Sequence, residues 1–319
     1  MSLEIIVREG VLNTLAFFSL FGKRLTVDEL IQYFYIDKNK KDYFSVLEGK
    51  NGEIKEMLPE LLSKMEEVIL EEGKYRLKSG NYEFSEDSTN ILNERLIKKC
   101  KKYISLLSWI PYLRMVGVGN TLAFGSADAD SDIDLFIIAE KDHVWLVRFL
   151  TGIFYQLLGV RRHGNKVSER FCLSFYMDTS VEDFRNIMLQ PDDVYMRFWV
   201  ATMKPFLGRE EYAHFVEENK SMLQESFPFW KKEAELVYIV QKRDSWLKES
   251  MERMLSTNLG MKYEKFLMNL QKKKMTVLPV HLTQEASVVI SDHMLKFHNK
   301  DRRKKYRDEW EKLTTMKNS

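Results

Sequence analysis

Apolar residues recur every three or four positions through residues 5–21, the spacing that gives a helix one buried stripe. Thr26 followed by Glu29 forms a capping box, which starts a second helix reaching about Tyr33. A third helix is expected over residues 54–65, with Pro59 working against the pattern from inside it. The period then changes. Val68 to Leu70 and Tyr75 to Leu77 flank Glu72 and Gly73, a short hairpin. Residues 81–91 are polar and read as a linker, and 93–109 as a basic amphipathic helix that stops before Pro111.

The centre alternates between the two periods: strand over 114–119, strand over 132–139, helix over 143–158 and strand over 171–177. From residue 181 onward the pattern turns helical, most strongly over 194–203, 211–223 and 229–252. Residues 285–290 fit a short strand or a turn of helix, and a charged helix is expected from Asp292 onward. The fold class is therefore α/β (α+β), with a small mixed sheet. It divides into an N-terminal region (1–80), a central domain (93–205) and a helical C-terminal region (206–319). A length of 319 residues agrees with more than one core, since single cores stop growing at roughly 250 residues.

The helix, helix, helix and hairpin order of residues 1–80 resembles a winged helix, whose third helix would enter the major groove of DNA. Between Asn51 and Glu66 this third helix and its flanks carry Glu53, Glu56, Glu60 and Glu66 against Lys55 and Lys64. Its net acidity favours a structural or protein-contact role over binding phosphates, so DNA is a weakly supported partner.

Composition removes several classes. Apolar residues make up 45% and charged ones 30%, as in ordinary folded proteins, and a net charge of +2 gives no argument for nucleic acid by itself. Cys100 and Cys172 are too few and too far apart for a disulfide framework or a zinc site, which agrees with a reducing cytoplasm. The first residues lack a signal peptide's apolar core, and residues 144–160 are interrupted by Arg148 and Gln156 and too short for a membrane span. The expectation is a cytoplasmic protein with no membrane partner.

The richest chemistry lies in GVGNTLAFGSADADSDIDLFIIAE, residues 117–140. Asp132 and Asp134 are two apart at the start of an apolar strand, so both side chains point to one face. Two uncompensated carboxylates there would be costly to bury, and a shared divalent cation makes the pair tolerable. A strand end facing solvent is the alternative use of such a pair.

On these residues the chain resembles the DNA polymerase beta type nucleotidyltransferase superfamily, whose signature is a Gly-Ser turn after one strand and an Asp-x-Asp on the next. The literal Gly125-Ser126 lies close to Asp132. Gly119 and Asn120, with Gly125 as a second glycine and Ser131-Asp132-Ile133-Asp134-Leu135 as the ending, give the spacing of the small members. Asn120 replaces the usual Ser and can still donate a hydrogen bond.

The resemblance implies that Asp132 and Asp134 hold two Mg²⁺ (or Mn²⁺) ions about 4 Å apart. It also implies that Gly119, Asn120, Thr121 and Gly125 cradle the β- and γ-phosphates of a nucleoside triphosphate. A third carboxylate would come from a neighbouring strand, where residues 171–177 put Cys172, Ser174 and Tyr176 on one face. Asp178 at that strand's end is the candidate general base, and capping the turn at Thr179 and Ser180 is its other reading. The implied activity moves a nucleoside monophosphate from the triphosphate to a hydroxyl on a small molecule, a protein or an RNA end. A non-catalytic nucleotide sensor or DNA-linked regulator is the competing reading. Lys296, His298, Arg302 and Arg303 form a C-terminal cationic cluster near Asp292 that could reach a triphosphate or an acceptor; a solvated helix face is its plainer use.

Overall fold

The computed structural model describes residues 2–40, 42–80, 86–181, 183–240, 246–277, 287–298 and 301–315. Four helices open the chain: α1 (Leu3–Ser19), α2 (Val27–Gln32), α3 (Asp42–Leu47) and α4 (Asn51–Ser63). The expected capping box is present at α2, with Thr26 Oγ1 accepting from Glu29 N and Glu29 Oε2 accepting from Thr26 N. Pro59 lies inside α4 without ending it, and α3 is an added turn that short apolar residues did not announce. Strands β1 (Val68–Glu71) and β2 (Lys74–Leu77) pair antiparallel around Glu72 and Gly73, which both have positive φ as a two-residue hairpin turn prefers.

Helix α5 (Glu86–Ser105) begins earlier than the expected 93 and takes up part of the polar stretch 81–91; residues 81–85 lie outside the described residues. Then follow β3 (Leu113–Val118), α6 (Asn120–Phe124), β4 (Ile133–Ala139), α7 (Val144–Leu157) and β5 (Phe171–Asp178). The remainder comprises α8 (Val194–Thr202), β6 (Lys204–Leu207), α9 (Arg209–Glu218), α10 (Lys220–Gln224), α11 (Trp246–Leu255), α12 (Asn258–Val277), β7 (Ser287–Ile290), β8 (Met294–His298) and α13 (Arg303–Thr315). No helix among the described residues is long and apolar enough to cross a membrane.

The mixed α/β character is as expected, and the sheet is larger than expected. Six strands run in the order β6-β3-β4-β5-β8-β7, with only β4 and β5 parallel. Edge strand β6 straddles the expected boundary at 205, and the C-terminal region supplies the whole β7–β8 hairpin. Residues after Asp292 were expected to be helical, but Met294 and Leu295 are buried and pair with Met177 and Tyr176, so helix starts only at Arg303. The expected helix 229–252 is also broken. Residues 232–234 and 236–238 form 3-10 turns, and Val240 N donates to Phe206 O at the edge of β6.

Side-chain alternation along β4 sorts the molecule into two cores. Ile133, Leu135 and Ile137 face α5, α7 and α12, while Phe136 and Ile138 face the N-terminal helices together with α8 and α13. Phe17 of α1 stacks on Phe198 of α8 at 3.8 Å between ring centroids, and Trp310 Nε1 of α13 donates to Asn13 O of α1. The N-terminal region thus shares its core with one face of the central sheet.

Candidate functional site

Asp132 immediately precedes β4, and Asp134 is its second residue. Both lie on the face that bears Phe136 and Ile138, at the end where that apolar face opens. Their carboxylate oxygens and Cys172 Sγ come within 4.8 Å of one another. Cys172 is there because it is the β5 residue registered opposite Asp134. A bulge follows at once, and Phe175 becomes the partner of Phe136.

The turn between β3 and α6 closes the site from the other side. Gly119 precedes α6, and a Cβ built on it would come within 2.5 Å of Trp199 Nε1, so the indole of α8 needs a glycine there. Asn120 has φ +56°, a conformation that asparagine tolerates better than most residues. Its Nδ2 donates to Asp134 Oδ2 at 2.6 Å, and its Oδ1 accepts from Tyr195 Oη at 2.7 Å. A relay of three side chains therefore ties α8 to the acid pair. On the opposite flank, Arg162 donates to Asp132 Oδ2 and lies 3.7 Å from Cys172 Sγ.

Electrostatics follow from this packing. Burial, and then the charge of Asp132, push the Asp134 carboxyl up to about 6 against the opposing pull of Asn120, Cys172 and Arg162. Burial also pushes the Cys172 thiol well up, aided by Asp134 and Asp132, which keeps it protonated and unreactive.

The sequence-predicted residues divide. Asp132, Asp134, Gly119 and Asn120 converge. Thr121 follows Asn120 in α6, and its carbonyl accepts from Ser126 N. Gly125 sits at the far end of α6 as a left-handed cap with φ +75°, beside Lys23 Nζ, so it shapes the helix and does not face the acids. Ser126 also bonds back to Thr121, which leaves Gly119-Asn120 as the turn that adjoins Asp134.

Asp178 is not brought to the acid pair. It pairs with Ala139, whereas Cys172 pairs with Asp134, so six residues of β5 separate it from the site, roughly 20 Å at a strand's rise. There it is fully buried and accepts from Ser180 N, Ser180 Oγ and Asp142 N, with His293 Nδ1 at 2.8 Å from its Oδ2. This is the turn-capping role, extended to clasp the β7–β8 hairpin. Among the described residues, the acid pair has a thiol where a third carboxylate was expected.

The C-terminal cluster is also dispersed in role. Arg303 is spent on Asp301, Asp193 and the Ile187 carbonyl, and Asp292 pairs instead with Lys272 at 3.1 Å. Lys296 is buried on the same sheet face as Asp134. Sequence reading missed Arg162 and Tyr195. The first stood in a cation-rich stretch, Arg161 to Arg170, that could have drawn attention; the second is 75 residues from Asn120 and carried no local signal. Comparison with family models, with curated proteins and with solved structures finds no match to this chain.

Proposed function

We propose that the acid pair is a divalent-cation site for a nucleoside triphosphate, and that the protein transfers nucleoside monophosphate from it to a hydroxyl acceptor. The observation that carries this reading is the half-buried Asp134 beside Asp132, where burial first and the Asp132 charge second lift the Asp134 carboxyl to about 6. The order strand, Gly119-Asn120 turn, short helix, strand with Asp132 and Asp134 supports it further, as it is the arrangement the nucleotidyltransferase resemblance implies.

The donor set fits a hard cation. Two adjacent carboxylates suit Mg²⁺ or Mn²⁺, whereas the protonated Cys172 thiol does not add a ligand for such an ion, so one cation suits the described residues better than two. When bound, that cation supplies neutralisation of the triphosphate. The remaining roles belong to the chain. Asn120, locked by Tyr195, holds the orientation of Asp134. Arg162 is exposed enough to turn from Asp132 to a phosphate oxygen. Trp199 and Gly119 set how closely the turn approaches the acids.

Cys172 in place of a third carboxylate favours a second reading, in which the nucleotide is bound and not turned over. Incubation with each radiolabelled nucleoside triphosphate, Mg²⁺ or Mn²⁺ and a cell extract separates the two. Label on an acceptor, with pyrophosphate released and both lost in Asp134→Asn, is the transferase result. Tight binding without pyrophosphate release is the sensor result. Transfer undiminished in Asp134→Asn contradicts both.

A further inference from the structure

Beside the acid pair lies a chamber of about 180 Å³, lined by Asn120, Tyr195, Trp199, Lys296, Arg302 and Tyr306, with Asp301 also at its wall but engaged by Arg303. Asn120 is the shared wall: its amide donates to Asp134 while the residue also lines the chamber. Tyr195 and Tyr306 stack at 5.3 Å with 12° between planes, which holds α13 against α8. On β8, Lys296 registers opposite Phe175, itself the partner of Phe136 on β4. Two strand spacings across and two residues along separate it from Asp134, on the order of 12 Å between backbones.

Lys296 is only 4% exposed. Burial, with Arg303 alongside, lowers its ammonium to about 8, although Asp301 and Asp193 oppose the shift. Arg303 is held in a fork by Asp301 and Asp193, but Arg302 is exposed and turned to the same chamber. A buried amine and an exposed guanidinium thus flank one small cavity, with Tyr195, Trp199 and Tyr306 as its apolar walls.

We infer that this chamber binds the phosphate group of a small ligand, with Lys296 and Arg302 as its cationic contacts. A dense oxyanion is the chemistry that two converging cations recognise, and the aromatic walls leave room for a compact molecule and not for a polymer. That the phosphate belongs to a substrate of nucleotidyl transfer rests on the function proposed above; the binding itself does not. The ligand's phosphate has two sources, the tail of the nucleoside triphosphate or a phosphorylated acceptor.

Isothermal titration of the full chain with inorganic phosphate and with tripolyphosphate, each with and without Mg²⁺, tests the assignment. Saturable binding is expected, weakened about tenfold in Arg302→Gln and lost in Lys296→Met. Arg302 is exposed, so the first variant folds whatever becomes of the second. Phosphate binding that needs no Mg²⁺ and survives Asp134→Asn identifies a phosphorylated acceptor. Tripolyphosphate binding that requires both Mg²⁺ and Asp134 identifies the triphosphate tail. Absence of saturable binding, or equal binding by wild type and both variants, overturns the inference. Retention of phosphate binding in a protein that binds no Mg²⁺-nucleotide removes the transferase reading and leaves the chamber standing.

Discussion

Asp134 is where several physical demands meet. It needs a polar mouth because burial and Asp132 both oppose its charge, and it receives one amide donor whose own orientation Tyr195 sets. Since a cation binds the ionised form, apparent Mn²⁺ affinity measured by titration should rise about tenfold per pH unit up to about 6 and level off above it. A profile flat from pH 4.5 to 7 contradicts this. The sign for stability is the reverse. A carboxyl raised in the folded state is most compatible with folding when protonated, so Asp134 should disfavour the fold increasingly from about pH 4 through 6. Asp134→Asn should therefore unfold at an equal or higher temperature than wild type at pH 7.5, measured without divalent cations. At Gly119 the constraint is steric: Gly119→Ala drives a methyl into Trp199 and should destabilise by about 1–3 kcal/mol in chemical denaturation.

Among elements, the β7–β8 hairpin pairs with β5 and buries Met294 and Leu295, and Asp178 adds a polar clasp at its turn through His293. His293 is raised by its hydrogen bond to Asp178, so this contact stabilises the fold fully below the ordinary imidazole value of about 6.5 and fades as pH climbs through the raised one. Asp178→Ala should cost at least about 2 kcal/mol and flatten the stability profile above pH 6.5, while leaving Mg²⁺-nucleotide binding unchanged. Loss of nucleotide binding in a folded Asp178→Ala protein contradicts its placement outside the site. How far these elements could be read from sequence depended on range. The capping box at Thr26, the turn at Glu72-Gly73 and the acid pair are local patterns, and they stand where periodicity and spacing put them. Strand β8 was hidden because Met294, Leu295 and Phe297 lie among charged residues that read equally well as helix. Asp178 was misjudged because its distance from Asp134 depends on the parallel register of β4 and β5, which no local pattern states.

At the scale of the molecule, one sheet separates two cores, and the N-terminal helices complete one of them. Leu15, Phe17 and Phe18 pack with Phe124 and Phe198, residues 100 or more positions later. Residues 1–80 alone would expose that surface, so the isolated fragment should show no cooperative unfolding, whereas the full chain should unfold with α1 and the sheet in one transition. The same enclosure gives the acid pair its partners. Asn120 comes from the β3–α6 turn, Arg162 from the loop before β5, and Tyr195, which holds Asn120, from α8, three segments that only the complete fold brings together.

The most direct test is calorimetric titration of the four nucleoside triphosphates, in Mg²⁺, into wild type, Asp132→Asn and Asp134→Asn. The account predicts that at least one triphosphate binds wild type and needs Mg²⁺. Each substitution should weaken it by roughly 100-fold or more, since outer contacts to a metal alone are worth 10–100-fold, with the fold intact by circular dichroism. Binding that neither substitution alters, or no binding of any triphosphate to wild type, contradicts it.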